Sequence, residues 1–238
     1  MPAFACIALL GWFPLVLAAI ASAACAQGAA PLESPLPAPR TTRAAPPSSP
    51  SATPAAPATA CIAALAALGA SFEPAPPVAA GDPACRIAEP VRLGAAGPGV
   101  ALPARPVLAC DAALALARWT GQHLRPAARE LGRGALTRID TGPGFACRRR
   151  NNAATGKLSE HAFGNAVDVT GFGFAAGEQL RITARQDDHT LAAAFQRTAR
   201  ASACLHFTTV LGPGTDAAHA DHLHLDTAER RGGYRICQ

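Results

Sequence analysis

The sequence predicts an α+β fold: a small, mostly antiparallel sheet with flanking helices, stapled by disulfides. Short runs such as Ala166 to Thr170 and Asp221 to Asp226 alternate in the two-residue rhythm of strands. Leu191, Phe195 and Ala199 recur at four-residue spacing, as on one face of a helix. Widely spaced cysteines complete the pattern, because they suit bridges in a secreted domain. No internal repeat, phosphate loop or dinucleotide fingerprint competes with this reading.

Taken in order, residues 1–30 contain no Asp, Glu, Lys or Arg. Ala3 to Ala24 is an apolar run long enough to span a bilayer. Ala24-Cys25-Ala26 fits a small-residue cleavage site before Gln27. Residues 1–26 are therefore expected to be a signal peptide or N-terminal membrane anchor, with a cleaved signal ranked ahead of an anchor and a lipoprotein leader third. Residues 27–60 form a Pro/Ala-rich linker; nine of the chain's 22 prolines lie in 28–60. That composition cannot build helix ladders and has too little bulky apolar surface to offset ordering entropy, so it predicts a disordered tether.

The folded domain is expected over 61–238. Cys61 to Leu68 suits an apolar helix ended by Gly69. Residues 71–109, rich in Pro and Gly, read as loops with short strands. Asp111 is placed to cap a helix through Leu114, Leu116 and Trp119, with Pro126 dividing it and Gly132 stopping it. Leu136 to Ile139 reads as a strand leading into a turn at Asp140–Gly144. Ala166 to Thr170 is a strand, and Gly171-Phe172-Gly173 turns the chain toward another at Leu180 to Ala184. Thr190 to Ala201 is helical. Leu205 to Leu211 is a strand containing His206, Gly212-Pro213-Gly214 breaks it, and Asp221 to Asp226 resumes alternation.

The net charge of +5 suits an anionic polymer, nucleic acid or cell wall. Arg148-Arg149-Arg150 is the only basic triplet, and no interleaved aromatics support a nucleic-acid platform, so no nucleic-acid partner is expected. None of the eight cysteines forms a C-x-x-C pair, which argues against a thiolate zinc site. With Cys6 and Cys25 in the leader, Cys61, Cys85, Cys110, Cys147, Cys204 and Cys237 remain for three bridges, and the sequence does not choose among the pairings.

Four of the seven histidines fall in two polar stretches, Ser159–Asp168 and His219–Asp226. In an extended Asp221–Asp226, His222, His224 and Asp226 share one face while Leu223 and Leu225 anchor the other. Same-face neighbours lie roughly 7 Å apart. That suits one metal ligand beside one group that reaches the metal-bound water. Three protein ligands plus water is the usual catalytic zinc arrangement, with His161 and Asp168 supplying two ligands. A Ser159-His161-Asp168 triad is disfavoured, because residues two apart on an extended chain lie beyond hydrogen-bond reach.

Ser159-x-His161-x-x-Gly164-x-Ala166-x-Asp168 resembles the signature of the D-Ala-D-Ala carboxypeptidase and murein endopeptidase superfamily of zinc peptidases. His219-x-x-His222-x-His224 is similar to its penicillin-insensitive murein endopeptidase branch. Together with Cys147-Arg148, Asn151, the 158–168 block, Val210–Gly214 and Tyr234–Cys237, the pattern resembles the bacterial extensin-like C-terminal domain family. The resemblance implies a Zn²⁺ cofactor held by His161, Asp168 and His224. It implies a general base at His222 or Asp221, with alternation favouring His222. His219 would be a supporting or substrate group, Arg148 the oxyanion stabiliser, and Asn151 and Ser159 loop residues near substrate. Arg149 and Arg150 would be solvated or touch an anionic substrate.

The expected function is an exported zinc metallopeptidase, periplasmic or in the cell envelope, cleaving amides of peptidoglycan peptides with zinc-bound water. The alternative is a non-catalytic wall-binding or structural module that keeps the metal site. A metal-dependent nuclease ranks behind both. Membrane contact is expected only through the N-terminal segment if it stays uncleaved.

Overall fold

The structure is a computed structural model that describes residues 57–238. The expectations for the leader, and for the linker up to residue 56, lie outside the described residues.

Helix α1 (Pro57–Ala67) begins earlier than Cys61 and ends where Gly69 takes a φ of +68°. It buries Leu65 fully. Strands β1 (Ser71–Pro74), β2 (Val78–Ala79), β3 (Arg86–Ile87), β4 (Pro90–Ala95) and β5 (Val107–Ala109) follow. The order β1-β4-β5 makes a three-stranded antiparallel sheet, and β2 pairs with β3.

Helix α2 (Cys110–Trp119) carries an alanine-rich buried face that lets it lie close to its neighbours. Asp111 does not cap it. The residue before the helix is Ala109, which makes no side-chain cap, and Asp111 sits inside the first turn. There its carboxylate meets the positive end of the helix dipole instead. The chain runs through a π turn (Thr120–Leu124), with Arg125 N–H bonding back to Thr120 O, into α3 (Arg125–Glu130). Pro126 thus divides the helix: its ring and missing N–H disrupt regular bonding one turn back, and the wider π turn absorbs the misfit.

The second sheet carries the candidate site. Its strands are β6 (Leu136–Thr141), β7 (Ala166–Phe174), β8 (Gln179–Arg181), β9 (Thr209–Leu211), β10 (Leu223–Asp226) and β11 (Ile236–Cys237), with helix α4 (Leu191–Ala203) between β8 and β9. The order is β11-β9-β10-β7-β6, with β8 also on β7. Every pair is antiparallel except β11–β9.

Several local expectations are corrected here. Gly171-Phe172-Gly173 is not a turn but the second half of β7, pairing with β6 and β8. A Cβ on Gly171 would sit 2.8 Å from Leu180 O, so glycine permits close strand approach rather than reversal. The strand expected to reach Ala184 stops at Arg181. The strand expected from Leu205 is only Thr209–Leu211; Leu205 is exposed and His206 lies in a turn. Leu191 is also exposed, leaving Phe195 and Ala199 as the buried stripe of α4.

Trp119 packs edge-on against Phe172 and Phe207, and Phe195 meets both Phe172 and Phe174. Trp119 Nε1–H donates to Ser202 Oγ at 3.0 Å, which satisfies the one polar atom of a wholly buried ring. Three disulfides close the domain: Cys61–Cys110, Cys85–Cys147 and Cys204–Cys237. Among the described residues, no helix is long and apolar enough to cross a membrane.

Candidate metal centre

Strand alternation builds the site. Val167 and Val169 of β7, and Leu223 and Leu225 of β10, are wholly buried on the core side. Asp168 and His224 therefore project from the opposite face, and the antiparallel register sets them directly across from each other. His161 arrives from outside the sheet, on a 3-10 turn (Glu160–Phe163) that ends at Gly164 with φ +67°.

Three acceptor atoms then converge. His161 Nε2 lies 3.2 Å from Asp168 Oδ1, His224 Nδ1 lies 3.1 Å from the same oxygen, and the two nitrogens are 3.3 Å apart. Ligands about 2.0–2.1 Å from a tetrahedral zinc ion are spaced by roughly 3.3 Å, so the triangle fits that ion.

Hydrogen bonding behind the rings fits it too. A carbonyl can only accept, so His161 Nδ1–H donates to Gly144 O at 2.7 Å and leaves Nε2 with its lone pair. His224 Nε2–H donates to Asp226 Oδ2 at 3.1 Å and leaves Nδ1 free. Such partners orient metal-binding histidines and fix their tautomers.

Two lone pairs and a carboxylate facing one another require a cation. Burial pushes the His224 imidazole down, but hydrogen bonds and charge from Asp168 and Asp226 outweigh it and raise its pKa to about 9. Burial likewise pushes Asp168 up, but His161 and His224 hold its carboxyl far below the usual range.

The other predicted residues surround this triangle. His222 precedes β10, yet its Nε2 reaches to 3.6 Å from Asp168 Oδ1. Its Nδ1–H donates to Asp221 Oδ1 at 2.9 Å, and the Asp221 side chain is 86% exposed. Asp221 thus stands behind His222, away from the triangle. His219 is buried and donates Nδ1–H to Asp216 Oδ1 at 2.7 Å. Arg148 Nη2 is 4.0 Å from Asp168 Oδ2. Ser159 is buried; its backbone N–H donates to Arg148 O, and its side chain does not cap the turn it precedes. Asn151 lies in a left-handed turn with Asn152, at φ 51° and 55°. A cavity of about 470 Å³ is lined by Arg148, Asn151, Ser159, His219, His222 and His224, among others. His206, expected within a strand, instead has its ring 5.1 Å from that of His123, tilted by 56°.

Sequence reasoning missed two supports. Asp216 accepts from Ala218 N–H, His219 N–H and the His219 ring. Its signal was present, since Asp is a favoured residue just before a helical turn. Gly144 O had no signal, because a backbone carbonyl is invisible until the chain folds.

No curated protein and no solved structure matches the chain. The family model described as extensin-like protein C-terminus matches residues 59–238. That span takes in the whole sheet, the three bridges and every residue of the triangle, and the chain belongs to the extensin-like protein C-terminus family.

Proposed function

We propose that this chain is an exported, zinc-dependent peptidase-like protein that hydrolyses amide bonds in peptidoglycan peptides. Its α+β domain would be a zinc peptidase-like fold of the D-Ala-D-Ala carboxypeptidase and murein endopeptidase type. The carrying observation is the triangle of His161 Nε2, Asp168 Oδ1 and His224 Nδ1, each atom 3.1–3.3 Å from the others. These three atoms would hold the ion. Zinc bound there supplies a Lewis acid that polarises an amide carbonyl and makes water acidic enough to attack at neutral pH.

The chain's own groups do the rest. His222 Nε2 accepts the proton of the attacking water, with Asp221 holding the ring in the needed tautomer. Arg148 offers a fixed cation for the negative charge that grows on the carbonyl oxygen. His219, braced by Asp216, presents its other nitrogen to the cavity as a substrate contact. Three bridges support export to an oxidising compartment. The wall peptide as substrate rests on the motif resemblance and on export.

Metal analysis of protein refolded with zinc should find about one ion per chain, lost in Asp168→Asn and His224→Ala. Incubation with purified wall fragments should release new amino termini. Wild-type protein that keeps no zinc would sink the reading. Zinc with wall retention but no cleavage would turn it to the non-catalytic binding module.

A further inference from the structure

The Arg148-Arg149-Arg150 triplet is split by the backbone. Arg149 is extended, at φ −80° and ψ 162°, and bridges to Leu158 across a hairpin. Its Nη1–H donates to Gly156 O, so its guanidinium closes its own loop. Arg150 opens a 3-10 turn (Arg150–Asn152), and Arg148 and Arg150 both line the cavity beside the candidate metal centre.

Arg150 is held but not used up. Its Nη2–H donates to Glu160 Oε1 at 3.4 Å, and Glu160 is itself fixed by Asn165 Nδ2–H on its second oxygen at 3.2 Å. Glu160 is only 14% exposed, whereas Arg150 is 54% exposed. Among the described residues that carboxylate is the one side-chain partner of Arg150, and a guanidinium carries five N–H donors in a fork shaped for carboxylates. Arg230, on the opposite wall, differs: it donates to Thr208 O and to Thr209 Oγ1, and its guanidinium lies over Tyr234. Arg150 is therefore the cavity's available cation away from the reacting centre.

We propose that Arg150 anchors a free carboxylate of the substrate, in the same cavity as the attacked carbonyl but away from it. The position of that carbonyl, next to Arg148, rests on the function proposed above. The substrate class narrows to peptides that carry a free carboxylate.

Calorimetric titration of the zinc-loaded full chain tests this with N-acetylated alanine tetrapeptides of L- or D-residues, each as free acid and as C-terminal amide. A charge-assisted contact predicts that the acid of the favoured hand binds about tenfold tighter than its amide. Arg150→Ala should bring acid and amide within about twofold while zinc content stays unchanged. Arg181→Ala removes an exposed charge at a different cavity and should keep the preference. Equal binding of acid and amide by the wild type overturns the proposal. So does a preference that survives Arg150→Ala, or one lost equally in Arg181→Ala. Failure to hold zinc counts against the metal reading alone, because acid-over-amide binding at Arg150 is still measurable in that protein.

Discussion

Asp226 shows how much one residue behind the ligands carries. It is buried, accepts from His224 Nε2–H, and also takes hydrogen bonds from Thr209 Oγ1 and Ala228 N. Asp226→Asn should weaken zinc binding by roughly 10–100-fold, measured by chelator competition, and should lower the melting temperature as well. The pH dependence follows from the same cluster. The His224 pKa is raised from 6.5 to about 9 in the metal-free fold. Its contribution to stability is thus complete below pH 6.5 and lost as pH rises through about 9. Asp168 is depressed, so its contribution is present above the ordinary carboxylate range and lost only as pH falls through its lowered value. With chelator present, the melting temperature should fall between neutral pH and about pH 9–10. Zinc must displace the His224 proton, so its affinity should rise by about tenfold per pH unit up to that pKa and then level. A metal-free protein with a flat melting profile over this range would contradict the His224 pairing.

At the scale of elements, the turn that delivers His161 depends on Gly164. It sits at φ +67°, and an added Cβ would strike the Ile87 side chain and stand 2.7 Å from Ala109 N. Gly164→Ala should cost about 2–4 kcal/mol from backbone strain and overpacking. That is a drop of roughly 5–15 °C in a domain of this size, readable by calorimetry. Zinc affinity should fall with it, because the turn aims His161 Nε2. Strand β7 teaches a different lesson. Its Val-Asp-Val alternation was legible, but Gly171 and Gly173 look like punctuation in a sequence. In the fold they sit where Leu180 O and the Arg138 side chain press close. Local chemistry cannot separate those two uses of glycine; only the neighbouring strand decides.

For the whole molecule, the bridges tie distant parts of the chain together across separations of 33, 49 and 62 residues. Loop-closure entropy assigns each a stabilisation of roughly 4 kcal/mol. Cys85–Cys147 is the one next to Arg148. Replacing both cysteines by serine should therefore expose the 148–158 hairpin to limited proteolysis while zinc content stays near one per chain. Cys204–Cys237 instead ties the end of α4 to the edge strand β11, so its loss should free the C-terminal strand first. Mass spectrometry without reductant should find the three pairs intact.

The sequence by itself determined the fold class, the cysteines available for bridging, the family pattern and the set of polar residues from which the site is made. It could do so because period-two alternation, motif spacing and composition are local properties of the chain. The tertiary structure decided which cysteines pair, that Asp221 stands behind His222, and that Gly144 O, Asp226 and Asp216 brace the three rings. It also decided that Arg148 and Arg150 of the triplet line the cavity while Arg149 closes its own loop. Those outcomes depend on strand register and on loops meeting across the sheet, where residues 56 or 63 positions apart come within 3.1 and 3.3 Å. A linear pattern carries no information about such distances until the core closes behind it.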